Sequence, residues 1–229
     1  ATDPRVDVVT FTGSTATGRR VMAGAAGTVK KVFLELGGKS ATIMLDDADF
    51  PSALANIGGV CAHAGQGCAI TTRLLLPKSR YEEGVELTTK AFQHFKYGDP
   101  MDPAHLQGPL ISERQRERVL GYIAKAKQEG AKLVVGGGIP KHLPKGYYVE
   151  PTLFVDVDPK STLAQEEVFG PVLAVTPFEE DDDAVRIAND SIYGLSGAVT
   201  SASEERALAV ARRIRTGTLG INGAMWFAV

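Results

Sequence analysis

The sequence predicts an α/β fold: a largely parallel sheet with flanking helices. Three observations carry that prediction. Short β-rich runs alternate with amphipathic segments along the chain, the pattern of repeated strand–helix crossovers. The 229 residues are 44% hydrophobic and 23% charged, enough apolar material for a sizeable core and too little bias for a disordered or fibrous chain. No heptads, internal repeats or low-complexity linkers interrupt the alternation.

Residues 6–11 (VDVVTF) form a β-rich run ending at Thr12-Gly13-Ser14, and a helix is expected from about Thr15. Residues 32–36 and 40–45 read as a compact pair of strands separated by Gly37-Gly38-Lys39. Element spacing changes there, which divides the chain into a first domain over 1–36 and a second over 37–229. A helix is expected over 49–64. Asp49 can cap it, Pro51 suits its first turn, and Ala53, Leu54, Ile57, Val60, Cys61 and Ala64 recur at helical spacing. Residues 72–77 (TRLLLP) read as a buried strand. Helices follow over 81–95 and 112–129; the second has Val119, Leu120, Ile123 and Ala126 as its stripe and Gly130 as its stop. Residues 132–137, 147–154 and 170–178 read as strands. The acidic run 179–184 opens a short helix, where carboxylates suit the N-terminal dipole. Ser203 caps a last helix through Arg215, closed by Gly217.

Charge narrows the function classes. With 25 basic and 27 acidic residues the net charge is -2, which gives no electrostatic footprint for nucleic acid or an anionic membrane. No apolar run approaches the ~18 residues of a spanning helix. Two cysteines, Cys61 and Cys68, are too few for a disulfide framework, so a reducing, cytoplasmic setting is expected. The chain starts at Ala1 without Met and ends on the apolar INGAMWFAV. Both ends read as cuts from a longer protein.

Four constellations could carry chemistry. In FTGSTATG a strand runs into Gly13-Ser14, and Gly18 falls in the first turns of a helix, an arrangement that suits an anion at a helix N-terminus. Its GxxxxG spacing is not a dinucleotide fingerprint, and a plain glycine turn explains it equally well. Glu35, in LELGG, stands 17 positions after Gly18. It suits a ribose-binding acid, a general base or an edge-strand carboxylate; flanking leucines and glycines suggest partial burial. Cys61 falls on the apolar stripe and reads as core. Cys68 follows Gly65-Gln66-Gly67 in a connection where backbone N–H groups could favour a thiolate and hold an oxyanion. Zinc is not expected: Cys61, His63 and Cys68 have poor spacing and no second cluster. In EEVFGPV, residues 166–172, two acids, an aromatic and a Gly-Pro turn could hold a sugar and pack a ring, or merely lead into a strand.

Together these motifs resemble the aldehyde dehydrogenase superfamily. FTGSTATG, LELGGKSATIML, AGQGC, GYYVEPTLF, EEVFGPVLAV, YGLSGAV and GTLGING occur in the order seen there. The likeness covers essentially the whole chain. It implies that Cys68 is the catalytic nucleophile and Glu35 the base that activates water to hydrolyse a Cys68 thioester. It implies a nicotinamide cofactor, NAD or NADP, approached by Gly13 and Ser14 at the pyrophosphate, with Gly18 and Leu36 carried over as cofactor contacts. Glu167 matches the residue that holds the nicotinamide ribose, Phe169 the aromatic beside it; Gln115 and Arg118 fall where relatives face the same ribose. A small-molecule aldehyde substrate and a homodimeric or homotetrameric full-length protein are implied as well.

Two departures stand out. His63 occupies a position that is usually Asn in the family, two before the Gly of Gly-Gln-x-Cys. Family members are also much longer, and their N-terminal part supplies most of the dinucleotide domain. The chain by itself is therefore expected to turn over little substrate. Transfer of the acyl group to coenzyme A, a non-catalytic interaction piece, and a thiol-redox pair are the competing readings. Glu35 argues against the first; retention of Cys68 and Glu35 argues against decay of the gene but leaves an inactive fragment open; and the helix-face position of Cys61 argues against the third. Met225, Trp226 and Phe227 could line an aldehyde tunnel or belong to the core.

Overall fold

The structure is a computed structural model that describes residues 1–223. The described residues form two compact units, one over 1–38 and one from Lys39 onward.

In the first unit β1 (Val8–Thr12), α1 (Thr15–Ala26) and β2 (Lys31–Glu35) make a single crossover. The strands pair in parallel, with Val8 opposite Lys31 and Thr12 opposite Glu35. Ser14 caps α1 by accepting the Thr17 N–H at 3.3 Å. Gly18 is buried, and a Cβ there would lie 2.7 Å from a Leu36 methyl, so its missing side chain lets α1 close on the end of β2. Along both strands exposed residues alternate with half-buried ones.

The second unit is built on seven strands: β3 (Ala41–Met44), β4 (Arg73–Pro77), β5 (Lys132–Val135), β6 (Thr152–Val155), β7 (Val172–Phe178), β8 (Ser196–Thr200) and β9 (Thr218–Ile221). Their order is β5-β6-β7-β4-β3-β8-β9, parallel throughout except for β5 against β6. β4 is buried along its whole length, which is why it reads as an unbroken apolar run. Successive side chains still alternate faces. Leu74, Leu76, Leu173 and Val175 join Phe50, Leu54 and Phe92 on one face; Phe154, Val172 and Ala174 join Val119 and Ile123 on the other, and Leu75 joins Ala207 and Val210. The first face is covered by α2 (Phe50–Leu54), a 3-10 segment (Ile57–Gly65) and α3 (Tyr81–His94). The second is covered by α4 (Glu113–Gln128), α5 (Thr162–Gln165), α6 (Asp181–Asn189) and α7 (Glu204–Ala211). The α/β class with a mainly parallel sheet is thus as the sequence predicts.

Several boundaries differ. The runs at 32–36 and 40–45 are not partners: β2 pairs with β1, whereas β3 lies between β4 and β8 in the other sheet. The segment 49–64 is not one α-helix. Asp49 caps it as expected, accepting Ser52 N–H at 3.2 Å, but α2 ends at Leu54. Gly58 and Gly59, poor helix formers, fall in the 3-10 segment, and Ala62, His63 and Ala64 leave helical geometry. Leu54, Ile57, Val60, Cys61 and Ala64 remain buried while Ala53 is exposed, so the apolar pattern survived a change of helix type. Pro151 delays the strand expected from 147 until Thr152. The last helix stops at Ala211, short of Arg215.

Candidate active site

Parallel strands point one way, so the segments leading into them gather at one edge of the sheet. Lys39 leads into β3, Cys68 into β4, Glu167 and Phe169 into β7, and Tyr193 into β8, all on the N-terminal edge. Ligands of open α/β sheets ordinarily bind beyond the C-terminal ends. The first unit keeps that rule: Gly13 and Ser14 follow β1, and Glu35 ends β2. The second unit places its sequence-predicted residues at the opposite edge.

Three consecutive residues with left-handed backbone shape the cysteine loop: His63 (φ 53°), Ala64 (56°) and Gly65 (67°). Such conformations are unfavourable for most residues and mark a constrained turn. Asn and His visit this region more readily than most, which gives a backbone reason for His63 to stand where the family usually has Asn. Gly65 is indispensable for another reason: a Cβ there would lie 2.0 Å from the Gly170 carbonyl oxygen. The loop backbone therefore rests directly on the Gly170-Pro171 peptide. Gln66 fixes the next position, its amide donating to the His63 carbonyl at 3.2 Å and its oxygen accepting the Ile111 N–H at 3.1 Å. Ile70 N–H donates to Gly67 O at 3.3 Å, closing a turn with half-buried Cys68 inside it. Ala69 O accepts the Ser196 hydroxyl at 2.6 Å, and that hydroxyl also meets Ser40 Oγ at 2.8 Å. Cys61 differs: it is fully buried, and burial pushes its thiol far above the ordinary range, so it stays a neutral core thiol.

The segment 166–170 is held from α4. Gln115 donates to the carbonyls of Val168 (3.2 Å) and Phe169 (2.8 Å), and Arg118 donates to the Glu167 carbonyl at 2.9 Å. Tyr122 donates to the Glu166 carboxylate at 2.7 Å. Burial, then the Glu166 hydrogen bond, raises the Tyr122 phenol to about 12, so it remains a donor at neutral pH. Phe169 has φ 58°, a strained value for a bulky residue, and the residue is 37% exposed. A Cβ on Gly170 would lie 2.4 Å from a Val119 methyl, so the segment closes tightly on α4. Within this chain, Gln115 and Arg118 set the segment's backbone.

The first unit corrects one expectation. Glu35 is exposed, not partly buried, because side chains of β2 alternate and its half-buried neighbours are Leu34 and Leu36. Its carbonyl accepts the Gly13 N–H at 2.9 Å. Met225, Trp226 and Phe227 lie outside the described residues. Among the described residues no three His, Cys, Asp or Glu side chains are placed to hold a metal ion, and no helix is long and apolar enough to cross a membrane.

Lys39 lies in the LELGGKSATIML motif, and the sequence gives it no role. It is 1% exposed, and its amine has no hydrogen-bond partner among the described residues. Gly65 was noted only as part of a glycine-rich connection; its contact with Gly170 spans more than a hundred residues and leaves no local signal.

The chain matches the profile of the aldehyde dehydrogenase family over residues 1–229. It is 46% identical over 226 residues to a 3-succinoylsemialdehyde-pyridine dehydrogenase of a Pseudomonas species, covering 98% of this chain and 47% of that protein. Among solved structures it is similar to a Mycobacterium tuberculosis aldehyde dehydrogenase complexed with NAD+ (TM-score 0.94, 50% identity, 100% of this chain and 47% of that one). It is also similar to a mutant aldehyde dehydrogenase C of Pseudomonas syringae complexed with NAD+ and octanal (TM-score 0.96, 39% identity, 99% and 47%). The chain spans about half the length of the curated relatives it matches. With a match along its full length and the motif order retained, the chain belongs to the aldehyde dehydrogenase family.

Proposed function

We propose that this chain is the thiol-bearing part of an NAD(P)-dependent enzyme that oxidises a small-molecule aldehyde to its carboxylic acid. The remainder of the enzyme supplies most of the dinucleotide domain, and the whole protein is a homodimer or homotetramer. One arrangement supports the reading above all: the Cys68 loop and the segment bearing Glu167 and Phe169 share a sheet edge through the Gly65–Gly170 contact. The NAD+ named in both solved relatives supports the cofactor.

The residues present fit that cofactor. The Gly13 N–H is occupied by Glu35 O and the Ser14 hydroxyl accepts the Thr17 N–H, so a pyrophosphate would be met by main-chain N–H groups such as those of Thr15 and Ala16 in the first turn of α1. Gly18 and Leu36 bring α1 close to β2 and so set where those donors point. Glu167 would accept hydrogen bonds from the nicotinamide ribose, and Phe169 would pack beside the ring. When bound, the cofactor supplies the hydride acceptor.

The remaining chemistry belongs to the chain. The Cys68 thiolate attacks the aldehyde carbonyl carbon, and N–H groups of its turn hold the oxyanion. Collapse of the thiohemiacetal expels hydride and leaves a Cys68 thioester. Glu35 takes a proton from water as the hydroxyl adds to the thioester carbonyl; breakage of the C–S bond frees the acid and restores the thiolate. Pre-steady-state mixing with octanal and NAD+ tests this in the complete enzyme. Cys68→Ala should give no reduced cofactor. Glu35→Gln should keep one burst of about one equivalent while later turnover falls about a hundredfold or more. Turnover by Cys68→Ala, or loss of the Glu35→Gln burst, would overturn the assignment.

A further inference from the structure

Cys68 leads into β4, yet its turn is tied to β8, two strands away in the sheet. The tie is the Ser196 hydroxyl, 2.6 Å from Ala69 O. A carbonyl oxygen can only accept, so the Ser196 proton is spent there, and the proton between Ser196 Oγ and Ser40 Oγ, 2.8 Å apart, comes from Ser40. Both serines are buried. Both sit on a rigid scaffold as well: Ser196 opens β8, Ser40 stands immediately before β3, and the residues that follow them, Gly197 and Ala41, pair in register. Ser40 O accepts the Arg73 N–H at 3.1 Å, which links the pair back to the first residue of β4.

The carbonyl held in this way belongs to the peptide unit that closes the turn. Ala69 C=O and Ile70 N–H lie in one plane, and Ile70 N–H donates to Gly67 O at 3.3 Å. That bond is long and the serine bond is short, so the serine does more to set the plane. The contacts of Gly65 with Gly170 and of Gln66 with His63 and Ile111 act upstream of Cys68; Ser196 acts downstream. We propose that Ser196, supported by Ser40, is a positioning residue for the nucleophile: by holding the Ala69–Ile70 peptide it fixes the turn that aims Cys68 at the aldehyde carbonyl. The proposal rests on the reading of Cys68 given under the proposed function. Loss of the hydroxyl removes one oxygen and leaves the strands in place, so it should misalign the attack without weakening the hold on the aldehyde.

The test uses the complete enzyme, mixed with octanal and NAD+ and followed before the steady state. Ser196→Ala should form reduced cofactor in its burst about tenfold more slowly than the wild type, with the KM for octanal within about twofold. Ser196→Thr, which keeps a hydroxyl, should recover most of the rate. Hydrogen exchange reads the turn without substrate: the Ile70 amide should exchange about fivefold faster in Ser196→Ala. A Ser196→Ala protein with the wild-type burst rate, or with an unmoved Ile70 amide, overturns the proposal, and loss of the burst in Cys68→Ala then leaves the nucleophile standing. A raised KM with an unchanged burst, or a folded Ser196→Thr protein as slow as Ser196→Ala, overturns it too. A Cys68→Ala protein that still gives a burst overturns the nucleophile reading and the proposal with it.

Discussion

At Lys39 burial and charge conflict, and the conflict has a measurable sign. The amine is lowered from the usual 10.5 to about 7 by burial, Arg73 adding to the effect. Between those values the unfolded chain binds the extra proton and the folded chain does not, so stability rises with pH over that window. The cost is fully present below the folded midpoint, where the buried amine is charged, and has vanished above the unfolded one. Lys39→Met should therefore stabilise the protein by about 3–5 kcal/mol at low and neutral pH, and by less toward pH 10. Urea unfolding across a pH series measures this; a destabilised, pH-independent variant would contradict it. Gly65 shows the opposite economy, a residue kept for what it lacks. Gly65→Ala drives a Cβ into the Gly170 carbonyl at φ 67° and should cost about 3 kcal/mol or more. Iodoacetamide should label Cys68 and spare buried Cys61 in the native protein, and in Gly65→Ala both should react faster as the loop opens.

Elements were legible where pattern and caps agree. α4 runs over Glu113–Gln128 with Ser112 accepting the Gln115 N–H at 3.2 Å, one residue inside each expected end. Asp181, Asp182 and Asp183 fill the first turn of α6 as the dipole argument requires. The segment 49–64 reads as one helix in the sequence because its apolar spacing fits both an α-helix and a kinked 3-10 path; the left-handed turn at 63–65 depends on a contact with Gly170, far along the chain. The α4 clamp was likewise invisible, since Gln115 and Arg118 act on main-chain carbonyls 49 to 54 positions away. Removing either side chain should loosen the amides of 167–170 by about 1 kcal/mol, about fivefold faster hydrogen exchange. Unchanged exchange in Gln115→Ala and Arg118→Ala would show that the strained Phe169 turn holds without them.

The two units differ in what they can sustain. A parallel pair of strands with one helix is marginal in water, whereas the seven-stranded sheet has helices on both faces. Residues 39–229 expressed alone should unfold cooperatively, and a peptide of residues 1–38 should show little structure by circular dichroism. A folded 1–38 peptide would contradict this. The sequence by itself determined the α/β class, most helices and strands, and the chemical identity of the thiol and carboxylate candidates, because each is written in local periodicity, capping residues or a short motif. The tertiary structure decided which strands pair and that the Cys68 loop rests, through Gly65, on Gly170 of the Glu167 segment at the N-terminal edge. It also decided that Glu35 is exposed and that the Lys39 charge is buried. These depend on packing between residues far apart in sequence, where one missing Cβ or one buried amine has an effect that no local pattern can encode.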